Sequence, residues 1–200
     1  MASKREIVFA SNNAHKLKEI REIAGENFNI LSLSDIGYNQ EIPETGATLE
    51  ENSLIKAREI RDFCGKDCFA DDTGLLCDAL GGAPGVYSAR YAGEHCSPED
   101  NMTLLLENLE GIANRHACFR TVITFISDAG EMQFSGQAEG EIATHRDGTA
   151  GFGYDPIFIS AETGRTFASM SAAEKNAISH RGRAVRNLFD YLNRQDHNTL

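Results

Sequence analysis

Two adjacent carboxylates, Asp71 and Asp72, follow the apolar Cys68-Phe69-Ala70 and precede Thr73-Gly74-Leu75. Burying two Asp side chains together is costly unless a cation or hydrogen-bond donors offset the charge. Cys68 to Ala70 reads as the buried end of a strand that Thr73 and Gly74 break. The pair is then expected at a strand's carboxyl end, where ligands bind in open α/β sheets. A divalent cation suits it, because Mg²⁺ takes hard oxygen ligands, often one or two carboxylates plus phosphate oxygens. Taken alone, the six residues suit an Asp-rich turn slightly better, since Asp, Thr and Gly are common turn residues.

Other stretches add to the chemistry. Ser11-Asn12-Asn13-Ala14-His15-Lys16 lies where a first strand gives way to a helix. N–H groups at a helix start attract phosphate and Lys16 adds a positive charge, although Asn-rich capping alone accounts for the composition. Glu44, Glu51, Asn52 and Lys56 surround the start of a second helix, with Asn52 and Lys56 four apart on one face. Taken alone, a solvated helix face explains them better. Gly148 to Pro156 sets three glycines, at 148, 151 and 153, among Phe152 and Tyr154. Either a base stacks on these rings beside a closely approached backbone, or the loop is tight with packed rings. Lys175, His180, Arg181 and Arg183 bring four potential cations within nine residues of an acidic chain, which points to an anion site.

The elements that must position these residues follow from pattern. Arg5 to Ser11 reads as a strand buried on both faces, because Ile7 to Ala10 is continuously apolar. Ala14 to Ala24 reads as a helix stopped by Gly25. A strand over Phe28 to Leu33 is followed by a helix from the capping box Thr48/Glu51 to about Phe63, ended by Gly65. Ser97-Pro98 starts a further helix. His116–Ser127 and Glu131–Ile142 form a hairpin, which makes the sheet mixed, and Pro156 to Ile159 reads as another buried strand. The last helix is expected over about Ala172 to Leu192, capped by Ser171 and Glu174 and bent near Gly182.

The chain of 200 residues suits one α/β domain, and no repeat, linker or low-complexity tract marks a boundary. A net charge of −11 argues against binding to nucleic-acid polymers or membranes, whose partners are usually basic, but leaves room for a small anion. No apolar run is long enough for a membrane helix, and Met1 to Glu6 leads into a strand rather than a signal sequence. Five cysteines without a CxxC pair fit reduced thiols in a cytoplasmic protein.

Taken in order, Ser11 to Lys16, Glu44-Thr45-Gly46, Glu51-Asn52-Ser53 with Lys56-Ala57, Ala70 to Leu75, Gly81 to Tyr91, Gly151 to Pro156 and Ser179-His180-Arg181-Gly182 form one constellation. Over nearly its whole length the chain resembles the inosine/xanthosine triphosphate pyrophosphatases. The resemblance implies a single NTP pyrophosphatase domain over residues 1–200: an elongated mixed sheet flanked by helices, two lobes around a central nucleotide cleft, and a homodimer. It implies Mg²⁺-dependent hydrolysis of dITP, ITP and XTP to the monophosphate and pyrophosphate, which keeps deaminated bases out of DNA and RNA. Asp72 would be the catalytic carboxylate and a metal ligand, with Glu44 a second ligand. Ser11, Asn12, Asn13, Ala14, His15, Lys16 and Lys56 would bind the triphosphate and Thr73 would contact substrate. Phe152, Gly153, Tyr154, Asp155, Lys175, His180 and Arg181 would hold the base and phosphates. The chain departs from many members in having Ser11-Asn12-Asn13 for Thr-Gly-Asn, and Pro43 where some carry an acid. A pyrophosphatase for other modified or ordinary nucleotides, or a nucleotide sensor without turnover, would use many of the same loops.

Overall fold

The structure, a computed structural model, describes residues 4–197; Met1 to Ser3 of the expected leader into the first strand lie outside the described residues. The strands are β1 (Arg5–Phe9), β2 (Phe28–Leu31), β3 (Cys68–Cys77), β4 (Pro84–Gly85), β5 (His116–Ser127), β6 (Gly130–Ile142) and β7 (Phe158–Ser160). The helices are α1 (Ala14–Ala24), α2 (Leu49–Cys64), α3 (Pro98–Asn108), α4 (Ala172–Ile178) and α5 (His180–His197). One seven-stranded sheet runs β2-β1-β3-β5-β6-β7, with β4 on β3. β1 is parallel to β2 and β3, whereas β4 and β7 are antiparallel to their neighbours, so the sheet is mixed as expected. No described helix is long and apolar enough to cross a membrane.

The chain divides into two compact units that are discontinuous in sequence. Among the described residues, 4–72, 121–136 and 182–197 form the first and 73–120 and 137–181 the second.

In the first unit, β1 is buried on both faces. Ile7 and Phe9 face a core that also holds Ile20 of α1 and Val185, Leu188 and Phe189 of α5. Val8 and Ala10 face a second core with Ala57 and Ile60 of α2. This is why the run Ile7 to Ala10 is apolar at every position rather than at alternate ones. β3 obeys the same alternation: Phe69 belongs to the α1/α5 side, and Cys68 and Ala70 to the α2 side. In the second unit, Met102, Leu105 and Leu109 pack with Phe119, Ile142, Phe158 and Phe167 in one apolar core.

Four local expectations are corrected. Thr73 and Gly74 do not break the strand: β3 continues to Cys77 because Leu75 and Leu76 pair with Gly85 and Pro84, and tertiary pairing overrides turn preference. Glu51 does not close a reciprocal box on Thr48. Thr48 accepts the Glu51 N–H, while the Glu51 carboxylate accepts the Ala47 N–H. The final helical segment is interrupted at Ser179, not bent at Gly182. Ser179 adopts an extended conformation (φ −69°, ψ 155°) and its N–H caps α4 at Lys175. The last strand begins at Phe158 rather than Pro156.

Candidate active site

The first unit contains the carboxylate pair. Asp71 and Asp72 lie just past the last parallel pair of β1 and β3, Phe9 with Phe69, so they follow the carboxyl end of β1 although they stand within β3. Successive side chains on a strand point to opposite faces. Asp71 therefore turns to the α1 side, where the Lys16 ammonium meets it at 2.9 Å, and Asp72 turns to the α2 side. There Asn52 Nδ2 donates to Asp72 Oδ2 at 3.1 Å and Lys56 Nζ lies 3.5 Å from Oδ1. Lys16 of α1 thus meets Asp71, and Lys56 of α2 stands beside Asp72.

Glu44 approaches the same Lys56 ammonium at 2.5 Å. Three carboxylates, Glu44, Asp71 and Asp72, thus face two ammonium groups, Lys16 and Lys56. Burial pushes the Asp72 carboxyl up and Glu44 adds to this, against Lys56, Lys16 and the Asn52 amide; the net shift is upward. Burial disfavours the Lys56 ammonium, but Asp72, Glu44 and Asp71 outweigh it, and its pKa rises. The Lys56 direction reflects the three carboxylates around it, whereas that of Asp72 is set first by burial. Oxygens of Glu44 and Asp72 already converge on one cationic centre, and this hard-oxygen set fits Mg²⁺. Among the described residues no three His, Cys, Asp or Glu gather into a group that could hold a metal ion.

Ser11 to Lys16 forms the entry to α1. Ser11 Oγ accepts the Asn13 N–H at 3.1 Å, and Asn13 Oδ1 accepts the His15 and Lys16 N–H groups at 3.0 and 3.1 Å. Asn-rich capping is therefore present. Asn12, Asn13, Ala14 and His15 are exposed, while Lys16 turns inward to Asp71.

The second unit carries the cation cluster. Lys175, near the start of α4, is buried with Nζ 2.7 Å from Asp155 Oδ2 and 4.8 Å from the Phe152 ring centroid. Asp155 Oδ2 also accepts the Phe152 N–H at 2.8 Å, which folds the loop back on itself. That closure needs glycine at 151: its φ is +78° and a Cβ there would lie 2.0 Å from Asp155 Oδ2. Arg181 places its guanidinium 5.4 Å from the Phe152 ring and donates to Thr73 Oγ1 at 3.3 Å. Phe152 is half-buried under these two cations, an arrangement that can accept an anionic or carbonyl-bearing ligand beside an aromatic face. Gly151, Phe152 and Gly153 also line a cavity of about 380 Å³ with Pro98, Glu99 and Met102 of α3.

Two sequence-predicted residues sit differently from a stacking platform. The Tyr154 ring is buried in the core and its hydroxyl donates to the Ser88 carbonyl at 2.9 Å. His180 is buried too, stacked on Phe119 at 4.5 Å and 16°. Asn52, in contrast, has no role assigned by the sequence; its signals there are its place one helical turn before Lys56 and in the Glu51-Asn52-Ser53 motif.

Both units belong to an α/β protein built on a mixed sheet flanked by helices. The chain belongs to the Ham1 family, whose sequence model matches residues 7–191. It is 50% identical over 186 residues to the dITP/XTP pyrophosphatase of Flavobacterium johnsoniae, spanning 93% of this chain and 97% of that protein. The dITP/XTP pyrophosphatase of Christiangramia forsetii is 48% identical over 188 residues, spanning 94% and 99%. Among solved structures, the Staphylococcus aureus Ham1 protein superposes with a TM-score of 0.87 at 39% identity, covering 96% of this chain and all of that one (100%).

Proposed function

We propose that the chain is a nucleoside-triphosphate pyrophosphatase that hydrolyses dITP, ITP and XTP to the monophosphate and pyrophosphate. The observation that carries this reading is the buried Asp72 carboxylate, held by Asn52 and Lys56 and joined at Lys56 by Glu44, in a chain half identical to enzymes named for that reaction. Lys16 and Lys56 offset the charge of the triphosphate. Asp72 orients the attacking water and accepts its proton. The water oxygen bonds to the α-phosphorus, the bond to the bridging oxygen breaks, and pyrophosphate leaves. Asp72 and Glu44 would hold Mg²⁺, which when bound supplies charge stabilisation on the phosphate oxygens. By the family resemblance, Ser11 to His15 also bind the triphosphate, Thr73 contacts substrate, and Phe152, Gly153, Tyr154, Asp155, Lys175, His180 and Arg181 hold the base and phosphates. Residues 1–200 act as one pyrophosphatase domain, cytoplasmic and homodimeric, by the family resemblance.

The test is pyrophosphate release from dITP, ITP, XTP and the four ordinary dNTPs, with Mg²⁺ and with EDTA. Turnover of the deaminated purines that needs Mg²⁺ is expected. Equal rates on dATP and dITP, or no release from any, would overturn the reading.

A further inference from the structure

Asn52 is wholly buried on α2 and bridges two parts of the candidate site. Its Oδ1 accepts the Gly46 N–H at 2.8 Å and its Nδ2 donates to Asp72 Oδ2 at 3.1 Å. Only one orientation of the amide satisfies both, because the reversed group would set its oxygen against the carboxylate and its NH₂ against an N–H. The segment it grips carries Glu44, two residues before Gly46, and Glu44 reaches the same Lys56 that faces Asp72. The helical turn bearing Asn52 is itself pinned: Ser53 Oγ lies 2.7 Å from Thr124 Oγ1, and Gln133 Nε2 donates to Thr124 Oγ1 at 3.0 Å and to the Glu50 carbonyl at 3.1 Å. The segment packs closely on it, since a Cβ on Gly46 would meet Glu51 Cβ at 2.7 Å and Asn52 Oδ1 at 2.8 Å.

We infer that Asn52 is a positioning residue, which fixes one oxygen of Asp72 and clamps the Glu44-Thr45-Gly46 segment beside it. The donor to Asp72 leaves Oδ1 directed at Lys56, and the acceptor from Gly46 fixes where the Glu44 carboxylate stands. Leu has similar volume and can do neither. This inference rests on the reading that Asp72 is the acting carboxylate.

The test compares wild type, Asn52→Leu and Gly46→Ala, the second keeping Asn52 while its added Cβ pushes the segment away. Pyrophosphate release from dITP gives kcat and KM. Limited proteolysis without metal or nucleotide reports the hold on residues 38–47. Asn52→Leu should lower kcat by about 10- to 100-fold, the loss expected of one hydrogen bond to a charged group, with KM little changed. Gly46→Ala should lower kcat less. Both should be cleaved faster within residues 38–47. If Asn52→Leu shows no cooperative melting, Gly46→Ala decides alone. Wild-type kcat in a folded Asn52→Leu, or unchanged kcat and cleavage in Gly46→Ala, would overturn the inference. Failure of wild type to turn over any nucleotide counts instead against the reading of the site, and the metal-free cleavage rates still test the clamp.

Discussion

The two compact units build their charged clusters from different backbone. In the first, Asp71 and Asp72 stand within a ten-residue strand, and helices on its two sides supply the lysines. In the second, Lys175 belongs to a seven-residue helix and Arg181 follows the break at Ser179, both over a ring carried by a glycine-rich loop. A strand anchored by pairing fixes its side chains tightly. A short helix, a break and a loop hold theirs only through side-chain contacts such as Lys175 to Asp155. The first arrangement suits a group that must meet a reacting atom at a set distance, the second a group that recognises a ligand. Substitutions in the first unit should therefore cost turnover, and those in the second should cost stability and selectivity.

The largest effect is expected at Asp72. Asp72→Asn keeps the size and an acceptor for Asn52 but removes the charge and the proton acceptor. Loss of a positioned acid–base group typically costs about 10²–10⁴-fold. We expect at least that drop in kcat for dITP, with an unchanged melting temperature. Pyrophosphate release near the wild-type rate would break the division between the units at its main point.

That division was only partly legible in the sequence. The strand and the need for cations beside the Asp pair could be read from residue types, because buried carboxylates demand cations and continuous apolar runs demand burial on both faces; Lys56 and Glu44 stood out only through the family resemblance. What could not be read was that adjacent Asp residues would serve opposite faces, since the local turn signal of Thr73-Gly74 hid the continuing strand. In the second unit the glycines and cations were visible as composition, but the pairing of Lys175 with Asp155 spans 20 residues and has no local signature. Nor does sequence distinguish Tyr154, which closes on Ser88, from Phe152, which meets the cations.

Lys175 sharpens the contrast. Its side chain and that of Asp155 are 6% and 4% exposed, so removing either partner strands a buried charge. Lys175→Ala should destabilise the protein by about 3–5 kcal/mol. Asp155→Asn added to Lys175→Ala should recover most of that, since the Asn oxygen can still accept the Phe152 N–H. Urea unfolding of the four-member cycle measures the coupling, and simple additivity of the two single changes would rule out the pair as an anchor.

Arg181 should affect selectivity rather than rate. Hypoxanthine and xanthine present an acceptor at C6 where adenine presents a donor, and a guanidinium only donates. A donor facing the wrong group costs about 1–3 kcal/mol, or roughly 5- to 150-fold in rate. Arg181→Ala should therefore shrink the ratio of kcat/KM for dITP over dATP by at least about fivefold. The loss also removes the contact with Phe152 and the bond to Thr73, so some fall on every substrate is expected. An equal fall for dITP, XTP, dATP and dGTP would show that this residue does not read the base.

The smallest effect lies in the cap that starts α4. Ser171 Oγ accepts the Glu174 N–H at 3.2 Å, the Glu174 carboxylate accepts the Ser171 N–H at 2.8 Å, and Arg165 donates to it at 3.0 Å. The Ser171 backbone N–H, its hydroxyl and Arg165 together hold the Glu174 carboxyl down at about 2, below its ordinary 4.5. A lowered folded-state value means that the stabilisation is present above pH 4.5 and is lost as pH falls through about 2. Glu174→Gln keeps an acceptor for the cap and removes the titration. Wild type should melt slightly above Glu174→Gln at neutral pH, and the gap should close between pH 4.5 and 2. Because the carboxylate is solvent-exposed, added salt should also narrow the gap. Lys175 follows Glu174 in the same short helix, so a loosened cap should reach it: KM for dITP should rise modestly in Glu174→Gln while kcat holds. A melting gap independent of pH would mean that hydrogen-bond geometry alone, and not the charge on Glu174, sets the start of α4.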